Sequence, residues 1–359
     1  ALVLHIRRKR RKRRKQEEGM RGVNRRSFVS ELLGITTTPK WTISHLKLDA
    51  IRHYQQDDLQ FVPDILGEGH FGVAHKVEIK SENGRVAVVK LSKHRGMSKD
   101  DWHELALLAN LPRHPNVLDF IGVVRLSNGE YIGFLAEFCS NGSLDKLHEI
   151  QDLREPTKFA SIARDVCKGL EHLHSHKFLH RDIACRNLLL KEDRVVIADY
   201  GLCRDLSGGM YMASDSTKLP IYWTAPEAIL SRIFTTKSDI WSLGVTFWEI
   251  ATQGQVPYAV LRSSGKYKDE SELIQHIANG SEKLRVPHDV RERNPVLANL
   301  IALCLDIDPK KRPSTEILMK YVEDGKSSVY DHLPIVTEGK TQCPHDNLPE
   351  RVHSETTLA

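Results

Sequence analysis

The spacing of hydrophobic residues predicts a strand-rich part of the chain followed by a helical part. Short β-rich runs separated by polar turns occupy 61–66, 74–79, 86–91, 117–124 and 131–137. One helical stretch interrupts them at 99–110, where Trp102, Leu105, Leu108 and Ala109 are spaced to face a core. This order predicts a small β-rich lobe that contains one helix.

Helical periodicity dominates beyond Asn141. The clearest helical segments are 158–175, 238–252, 271–279 and 295–305. A β-rich lobe followed by a larger helical lobe predicts an α+β, bilobal fold with a cleft between the lobes. We expect a domain over 59–323, with an N-lobe at 59–139 and a C-lobe at 140–323, and a flexible C-terminal tail at 324–359.

The N-terminal segment combines an apolar start with a strongly basic run. The apolar residues 1–6 directly precede nine consecutive Arg or Lys residues, which begin at Arg7 and end at Lys15. This is typical of the cytoplasmic end of a transmembrane helix. We therefore expect 1–6 to be the end of such a helix and 7–58 a basic juxtamembrane linker that contacts an anionic membrane surface. The alternatives are a nuclear-localisation or nucleic-acid-binding tract, or a charged terminus without structure.

The net charge and the cysteine content of the chain argue against some classes of function. The net charge of +5 comes from 52 basic and 47 acidic residues, and without the nine-residue run 43 basic residues remain. The rest of the chain is thus slightly acidic, and we expect no nucleic-acid partner. Six scattered cysteines without a C-x-x-C pair argue against a disulfide framework or zinc site and fit a reducing compartment. Because the chain opens with Ala1 rather than Met, we expect it to be a fragment.

A glycine-rich motif, GEGHFG, lies between two strand runs at 67–72. Glycines allow a tight turn and a close approach of the backbone to phosphates. The dinucleotide-binding version of this motif needs a helix directly after it, whereas a strand follows here. The context favours a hairpin that closes over the phosphates of a nucleotide.

Two charged residues form a second candidate feature for nucleotide binding. Lys90 ends a strand run, and Glu104 lies on the helix that follows. A cation on a strand beside a carboxylate on a helix gives an ion pair that can hold α- and β-phosphates. Neither this pair nor the glycine motif is decisive alone.

The decisive pattern is HRDIACRN at 180–187, followed by DYG at 199–201 and APE at 225–227. With these motifs in order, the chain from Phe61 to about Tyr321 resembles a eukaryotic protein kinase domain. The resemblance implies that Asp182 is the catalytic base and that Asn187 and Asp199 bind Mg²⁺. It also implies that Lys90 binds the α- and β-phosphates of ATP and that Glu104 holds Lys90 in position.

The resemblance further implies a set of ATP contacts. They are Leu66, Gly67, Glu68, Gly69, His70, Phe71, Gly72, Val73, Ala74, Val88, Lys90, Ala136, Glu137, Cys139 and Leu189. Ala74 and Val88 exchange the usual Val and Ala above the adenine ring, and the two changes offset each other in volume. Ala136 occupies the gatekeeper position and leaves an open back pocket.

Two markers favour a tyrosine kinase over a serine/threonine kinase. Ala184 replaces the Lys typical of serine/threonine kinases, and Arg186 stands four residues after Asp182 as in tyrosine kinases. The run LPIYWTAPE at 219–227 resembles the substrate shelf of tyrosine kinases, where Pro220 would support the phenol ring. We therefore expect a receptor-type tyrosine kinase on the cytoplasmic side of a membrane, with protein tyrosines as substrates. A non-receptor cytoplasmic kinase and a pseudokinase scaffold are the alternatives.

Regulation is expected from two tyrosines. Tyr211 matches the activation-loop phosphorylation site of the family, where a phosphate could bind Arg181 and Arg204. Tyr330, once phosphorylated, could recruit a phosphotyrosine-binding adaptor protein. The alternative for each is an ordinary exposed tyrosine.

Some positions depart from the family pattern. Tyr200 replaces the usual Phe of the DYG motif, and its buried hydroxyl needs a partner, since leaving it without one costs about 1–3 kcal/mol. An insertion follows Tyr258, around 262–270, and the sequence gives it no role. Glu227 and Arg312 are retained and resemble the buried structural ion pair of the family.

Overall fold

The computed structural model describes residues 51–69, 72–93, 96–149, 151–214 and 217–324, which form two lobes. The elements of the N-lobe are β1 (His53–Gln55), β2 (Leu59–Gly69), β3 (Gly72–Ile79), β4 (Arg85–Leu91), α1 (Lys99–Asn110), β5 (Phe120–Arg125) and β6 (Tyr131–Glu137). Within the described ranges, no helix is both long and apolar enough to cross a membrane. The expected membrane segment 1–6, the basic run and the tail from 325 onward lie outside these ranges.

One six-stranded sheet forms the N-lobe, with the strand order β1-β5-β6-β4-β3-β2. All neighbours are antiparallel except β1 and β5. The strand runs predicted at 74–79, 86–91 and 131–137 fall within β3, β4 and β6. The run predicted at 117–124 is a strand only from Phe120, because Val117 instead makes an isolated bridge to Ile197 in the C-lobe.

Strand β1 lies inside the segment that we expected to be a linker. The side chain of Tyr54 is only 2% exposed, in the core of the sheet. A Cβ atom on Gly122 would approach the Tyr54 ring to 2.7 Å, so the glycine makes room for the tyrosine. The backbone N–H of Val123 donates to the carbonyl of Arg52 at 2.9 Å. The sheet therefore begins before residue 59, in a strand too short to show periodicity.

Helix α1 is anchored to the end of β4 by its N-terminal cap. The Ser98 hydroxyl accepts from the Asp101 N–H at 3.2 Å, and the Asp101 carboxylate accepts from the Ser98 N–H at 2.7 Å. The same carboxylate accepts from the Ser92 hydroxyl at 2.8 Å. This junction fixes the helix that carries Glu104 against the strand that carries Lys90.

The C-lobe is mainly helical, with short strand pairs beside the cleft. Its helices are α2 (Leu144–Leu147), α3 (Pro156–Ser175), α4 (Pro226–Ser231), α5 (Thr236–Ala251), α6 (Ala259–Ser263), α7 (Glu270–Ala278), α8 (His288–Arg293), α9 (Pro295–Cys304) and α10 (Thr315–Asp324). Its strands are β7 (Phe178–Leu179), β8 (Leu188–Lys191), β9 (Arg194–Ile197), β10 (Arg204–Asp205), β11 (Tyr211–Met212) and β12 (Ile233–Phe234). The four helices predicted from periodicity correspond to α3, α5, α7 and α9. Helix α5 is buried on every side from 238 to 251, and it forms the base on which the loops of the cleft rest.

Candidate active site

Lys90 connects the two lobes through two carboxylates. Its Nζ atom lies 2.7 and 2.9 Å from the carboxylate oxygens of Glu104 on α1, and 3.1 Å from Oδ1 of Asp199 in the C-lobe. Burial alone would lower the pKa of Lys90, but the two carboxylates outweigh it and raise that pKa. Burial also opposes ionisation of Asp199, yet the attraction of Lys90 lowers the pKa of this carboxyl. The cation and the Asp199 carboxylate are therefore both charged at neutral pH.

Asp182 lies in the loop 180–187 with its carboxylate held by two neighbours. Arg186 donates to one carboxylate oxygen, and Asn187 Nδ2 donates to the other at 2.9 Å. The same Asn187 nitrogen also donates to the Asp182 carbonyl at 2.8 Å. Burial raises the pKa of Asp182, against the opposing effect of Arg186. The carboxylate is thus oriented and made more basic than an exposed aspartate.

Helix α5 holds this loop through three buried polar side chains that sequence reasoning missed. Asp239 accepts from the backbone N–H groups of His180 and Arg181 at 3.0 and 2.8 Å. Thr246 donates to the Ile183 carbonyl at 3.1 Å, and Glu249 accepts from the Cys185 N–H at 3.1 Å. Spacings of seven and three residues place 239, 246 and 249 on one face of a helix. Polar residues at this spacing in an otherwise apolar helix were the available signal.

Most of the expected ATP contacts lie on strands of the N-lobe sheet, and one lies on a C-lobe strand. In the sheet, Ala74 of β3 lies opposite Lys90 of β4, and Val88 of β4 lies opposite Ala136 of β6. Strand β2 carries Leu66, Gly67, Glu68 and Gly69, and β3 carries Gly72, Val73 and Ala74. The end of β6 carries Ala136 and Glu137, Cys139 follows just beyond it, and Leu189 lies on β8. His70 and Phe71 lie outside the described residues.

Two glycines of the hairpin between β2 and β3 are explained by geometry. Gly72 has a φ of +149°, and a Cβ atom there would lie 2.4 Å from the carbonyl oxygen of Leu91. A Cβ atom on Gly67 would meet no described atom within 4 Å, so open space adjoins the backbone at this position. The hairpin therefore offers an open backbone surface of the kind that a phosphate group requires.

The donor atoms of Asn187 and Asp199 suit a magnesium ion. Asn187 uses its amide nitrogen in both bonds to Asp182, so its amide oxygen is left to bind a cation. The Asp199 side chain is 40% exposed and offers a charged carboxylate. Oxygen ligands from one or two side chains, completed by phosphate and water, are what Mg²⁺ prefers.

The sequence matches the protein tyrosine and serine/threonine kinase family over residues 61–322. The chain belongs to this family of protein kinases. It is 32% identical over 261 residues to the human cytoplasmic tyrosine-protein kinase BMX, covering 72% of this chain and 36% of the relative. It is 31% identical over 301 residues to human ephrin type-A receptor 1, covering 79% and 29% respectively. The tyrosine-protein kinase receptor TYRO3 of Xenopus laevis is 32% identical over 302 residues, with 79% and 32% covered. The chain thus spans about a third of the length of the relatives it matches.

The unusual Tyr200 of this kinase is fully buried, and its hydroxyl has two partners. It donates to the Ile197 carbonyl at 2.5 Å and accepts from the Leu118 N–H at 3.2 Å. Its ring meets that of His180 edge-on, with the centroids 5.5 Å apart. The Tyr-for-Phe exchange therefore leaves no polar group unsatisfied, and the ring keeps its packed position beside Asp199.

The segment after the activation loop of the kinase contacts the catalytic loop through Trp223. The Arg186 guanidinium lies over the indole ring, 4.5 Å from its centroid. The indole N–H donates to Glu249 at 2.9 Å. Burial raises the pKa of Glu249 to about 7, although the bond from Trp223 opposes this shift. Arg186 is thus held between the Asp182 carboxylate and the shelf.

Tyr211 of the kinase lies on the half-buried strand β11 beneath the guanidinium of Arg181. The guanidinium carbon is 4.6 Å from the Tyr211 ring centroid. The Nε and Nη2 atoms of Arg181 are buried and have no hydrogen-bond partner among the described residues. Burial lowers the pKa of Arg181 to about 10. The second expected phosphorylation site, Tyr330, lies outside the described residues.

Proposed function

We propose that this protein transfers the γ-phosphate of ATP to the hydroxyl of protein tyrosines. The observation that carries the proposal is the series of ion pairs Glu104–Lys90–Asp199, which runs from the N-lobe to the C-lobe, together with the C-lobe carboxylate of Asp182 that Asn187 and Arg186 hold. Lys90 positions the α- and β-phosphates, and Glu104 holds Lys90 in place. Asp182 orients the phenol hydroxyl and accepts its proton.

Asn187 and Asp199 would hold magnesium in this proposal. The ion would supply neutralisation of the charge that develops on the phosphate oxygens. The side chains contribute a fixed arrangement of oxygen ligands, and Lys90 adds a positive charge 3.1 Å from Asp199. The Asn187 side chain also donates to Asp182, so one of the two proposed ligands is fixed directly to the base.

Tyrosine is the proposed acceptor because of the environment of Arg186. This side chain donates to Asp182 and packs on Trp223 of the shelf, and it stands four residues after Asp182 as in tyrosine kinases. The test incubates the protein with ATP, Mg²⁺ and peptides that differ only in Tyr, Ser or Phe at one position. Phosphate on the Tyr peptide alone is expected. Transfer to Ser but not Tyr, or no transfer at all, would contradict the proposal, the second outcome favouring a scaffold.

We further propose that phosphorylation of Tyr211 activates the enzyme. Two guanidinium nitrogens of Arg181 have no partner among the described residues, and they could bind the phosphate together with the neighbouring Arg204. Tyr211→Phe keeps the ring beneath Arg181 but removes the acceptor oxygen. After incubation with ATP, we expect its kcat/KM on a peptide to be about 10-fold below that of the unsubstituted protein.

The Tyr211 experiment contains its own control. Before incubation with ATP, dephosphorylated samples of both proteins should turn over peptide at similar rates, because each lacks the phosphate. The KM for ATP should stay within about twofold throughout, since Tyr211 is remote from the ATP contacts. Equal rates of the two proteins after full incubation would contradict the role of Tyr211.

The small gatekeeper predicts an inhibitor preference. Ala136 is only 4% exposed and pairs with Val88, so a larger side chain would fill the space behind the adenine position. We expect Ala136→Met to weaken ATP-site inhibitors with bulky substituents by about 10-fold or more, through overpacking. Dissociation constants of two inhibitors that share a core but differ in the bulky group provide the measurement. Equal losses for both inhibitors, or none, would contradict an open back pocket.

We propose that the chain is the cytoplasmic part of a receptor. The matches to ephrin type-A receptor 1 and TYRO3 cover 79% of the chain, against 72% for cytoplasmic BMX. The basic run that begins at Arg7 would bind anionic lipids, and phosphorylated Tyr330 would recruit an adaptor protein. The sequence upstream of Ala1 in the full-length protein tests this, since an apolar segment of about 20 residues must end near Ile6. Its absence would indicate a non-receptor kinase.

A further inference from the structure

The insertion that follows Tyr258 packs directly on the proposed substrate shelf. Tyr222 lies in the short 3₁₀ turn Ile221–Trp223 of the shelf. The guanidinium carbon of Arg262, on α6, is 5.0 Å from the centroid of the Tyr222 ring. The hydroxyl of the same tyrosine donates to Glu270, the first residue of α7. The insertion therefore contacts one shelf residue at both its ring and its hydroxyl.

A continuous series of contacts connects this insertion to Asp182. Tyr222 precedes Trp223, whose ring supports the Arg186 guanidinium at 4.5 Å. Arg186 in turn donates to Asp182. We expect a peptide whose tyrosine reaches Asp182 across the shelf to place one of its flanks over or beside Tyr222, because Tyr222 directly precedes Trp223. Arg262 is the charged side chain that this flank would meet.

Arg262 forms no ion pair within the described part of the chain. The side chain is exposed, and no described carboxylate lies within 4.0 Å of its guanidinium. The neighbouring Lys266, in contrast, forms an ion pair with Glu282. Stacking on an aromatic ring fixes the plane of a guanidinium while leaving its edge N–H groups available for a carboxylate. Among the described residues, Arg262 is thus an oriented cation without an ion-pair partner, and Lys266 is a cation that already has one.

We propose that Arg262 selects substrates that carry an acidic side chain on the flank that lies over Tyr222. This inference rests on the tyrosine kinase function proposed above and specifies the substrate class of the same site. An Asp or Glu of the peptide would pair with the edge of the guanidinium, and such charge-assisted pairs are bidentate when the geometry permits. Because the contact is exposed, its contribution is modest, and it acts on the choice of substrate rather than on the chemical step.

The test scans Glu against Gln at each of the positions −4 to +4 around a single tyrosine in an otherwise neutral peptide. We expect Glu to raise kcat/KM about three- to fivefold at one or two adjacent positions on one flank only. Arg262→Gln should reduce this Glu:Gln ratio to near one, and Arg262→Lys should keep part of it. Arg262→Glu should reverse it, so that Lys at the same position becomes preferred. Lys266→Gln is the matched control and should keep the original ratio.

The outcomes separate this inference from the proposed function. A wild-type enzyme that phosphorylates tyrosine peptides but shows no Glu preference on either flank would overturn the role of Arg262. A preference that survives Arg262→Gln, or that is lost equally in Lys266→Gln, would overturn it as well. Failure of the wild-type enzyme to phosphorylate any tyrosine peptide would instead refute the tyrosine kinase assignment itself.

Discussion

Replacing Asp182 with asparagine is expected to lower phosphate transfer to a tyrosine peptide by about 10²–10⁴-fold, the usual contribution of a general base. Asparagine has nearly the same shape and can still accept from Arg186 or Asn187, so the loop should stay in place. It cannot accept the phenol proton, and the basicity that burial gives to Asp182 is lost. The measurement is kcat on a tyrosine peptide at saturating ATP, together with nucleotide affinity by direct titration.

A matched substitution separates chemistry from folding. Asp193 lies exposed in the turn between β8 and β9 of the same lobe, and Asp193→Asn should leave kcat unchanged. Nucleotide affinity should be similar in both variants, because Asp182 is not among the expected ATP contacts. Retention by Asp182→Asn of more than about a tenth of the original kcat would contradict its role as base. Loss of nucleotide binding in this variant would show instead that the site had collapsed.

The parts of the fold that follow from the sequence are those with local periodicity. The segment 131–137 is a short, almost entirely apolar run of the kind that predicts a strand, and β6 has those bounds. The helix predicted at 99–110 likewise has its predicted bounds, because a Ser98 cap starts it and an apolar face sustains it. Lys90 and Glu104 were assigned to neighbouring elements by motif, and the structure brings their charged groups to 2.7 Å.

What the sequence could not predict depends on contacts between distant residues. β1 pairs with β5 across about 70 positions and buries a single tyrosine, so neither length nor pattern revealed it. The spacing of Asp239, Thr246 and Glu249 marks one face of α5, but it does not reveal the backbone groups of the catalytic loop that they bind. The partners of the Tyr200 hydroxyl are backbone groups, which carry no residue-specific signal. No role could be predicted for the insertion from the sequence, because it meets Tyr222 only in the folded structure.

The C-lobe depends on one buried ion pair at its base. The side chain of Arg312 is fully buried and donates to both oxygens of Glu227, at 2.7 and 2.8 Å. It also donates to the carbonyls of Asp306 and Lys237, each at 2.8 Å, and its guanidinium lies 4.9 Å from the ring centroid of Trp241. Arg312 is thus shielded from water while the Glu227 side chain keeps 28% of its exposure, so the loss of Arg312 would leave Glu227 and two carbonyls without this donor.

Arg312→Met is therefore expected to lower the free energy of unfolding by about 3–5 kcal/mol, because Glu227 and two carbonyls lose their donor while methionine fills only part of the volume. Urea denaturation provides the measurement. Lys320→Met is the matched control: it removes an exposed Lys–Glu pair with Glu316 on α10 and should cost less than about 0.5 kcal/mol. In the double variant with Glu227→Gln, the loss should be smaller than the sum of the two single losses, since the uncompensated charge is then absent. A loss below about 1 kcal/mol for Arg312→Met would mean that neighbouring water or side chains satisfy Glu227, and that the pair does not hold the lobe together.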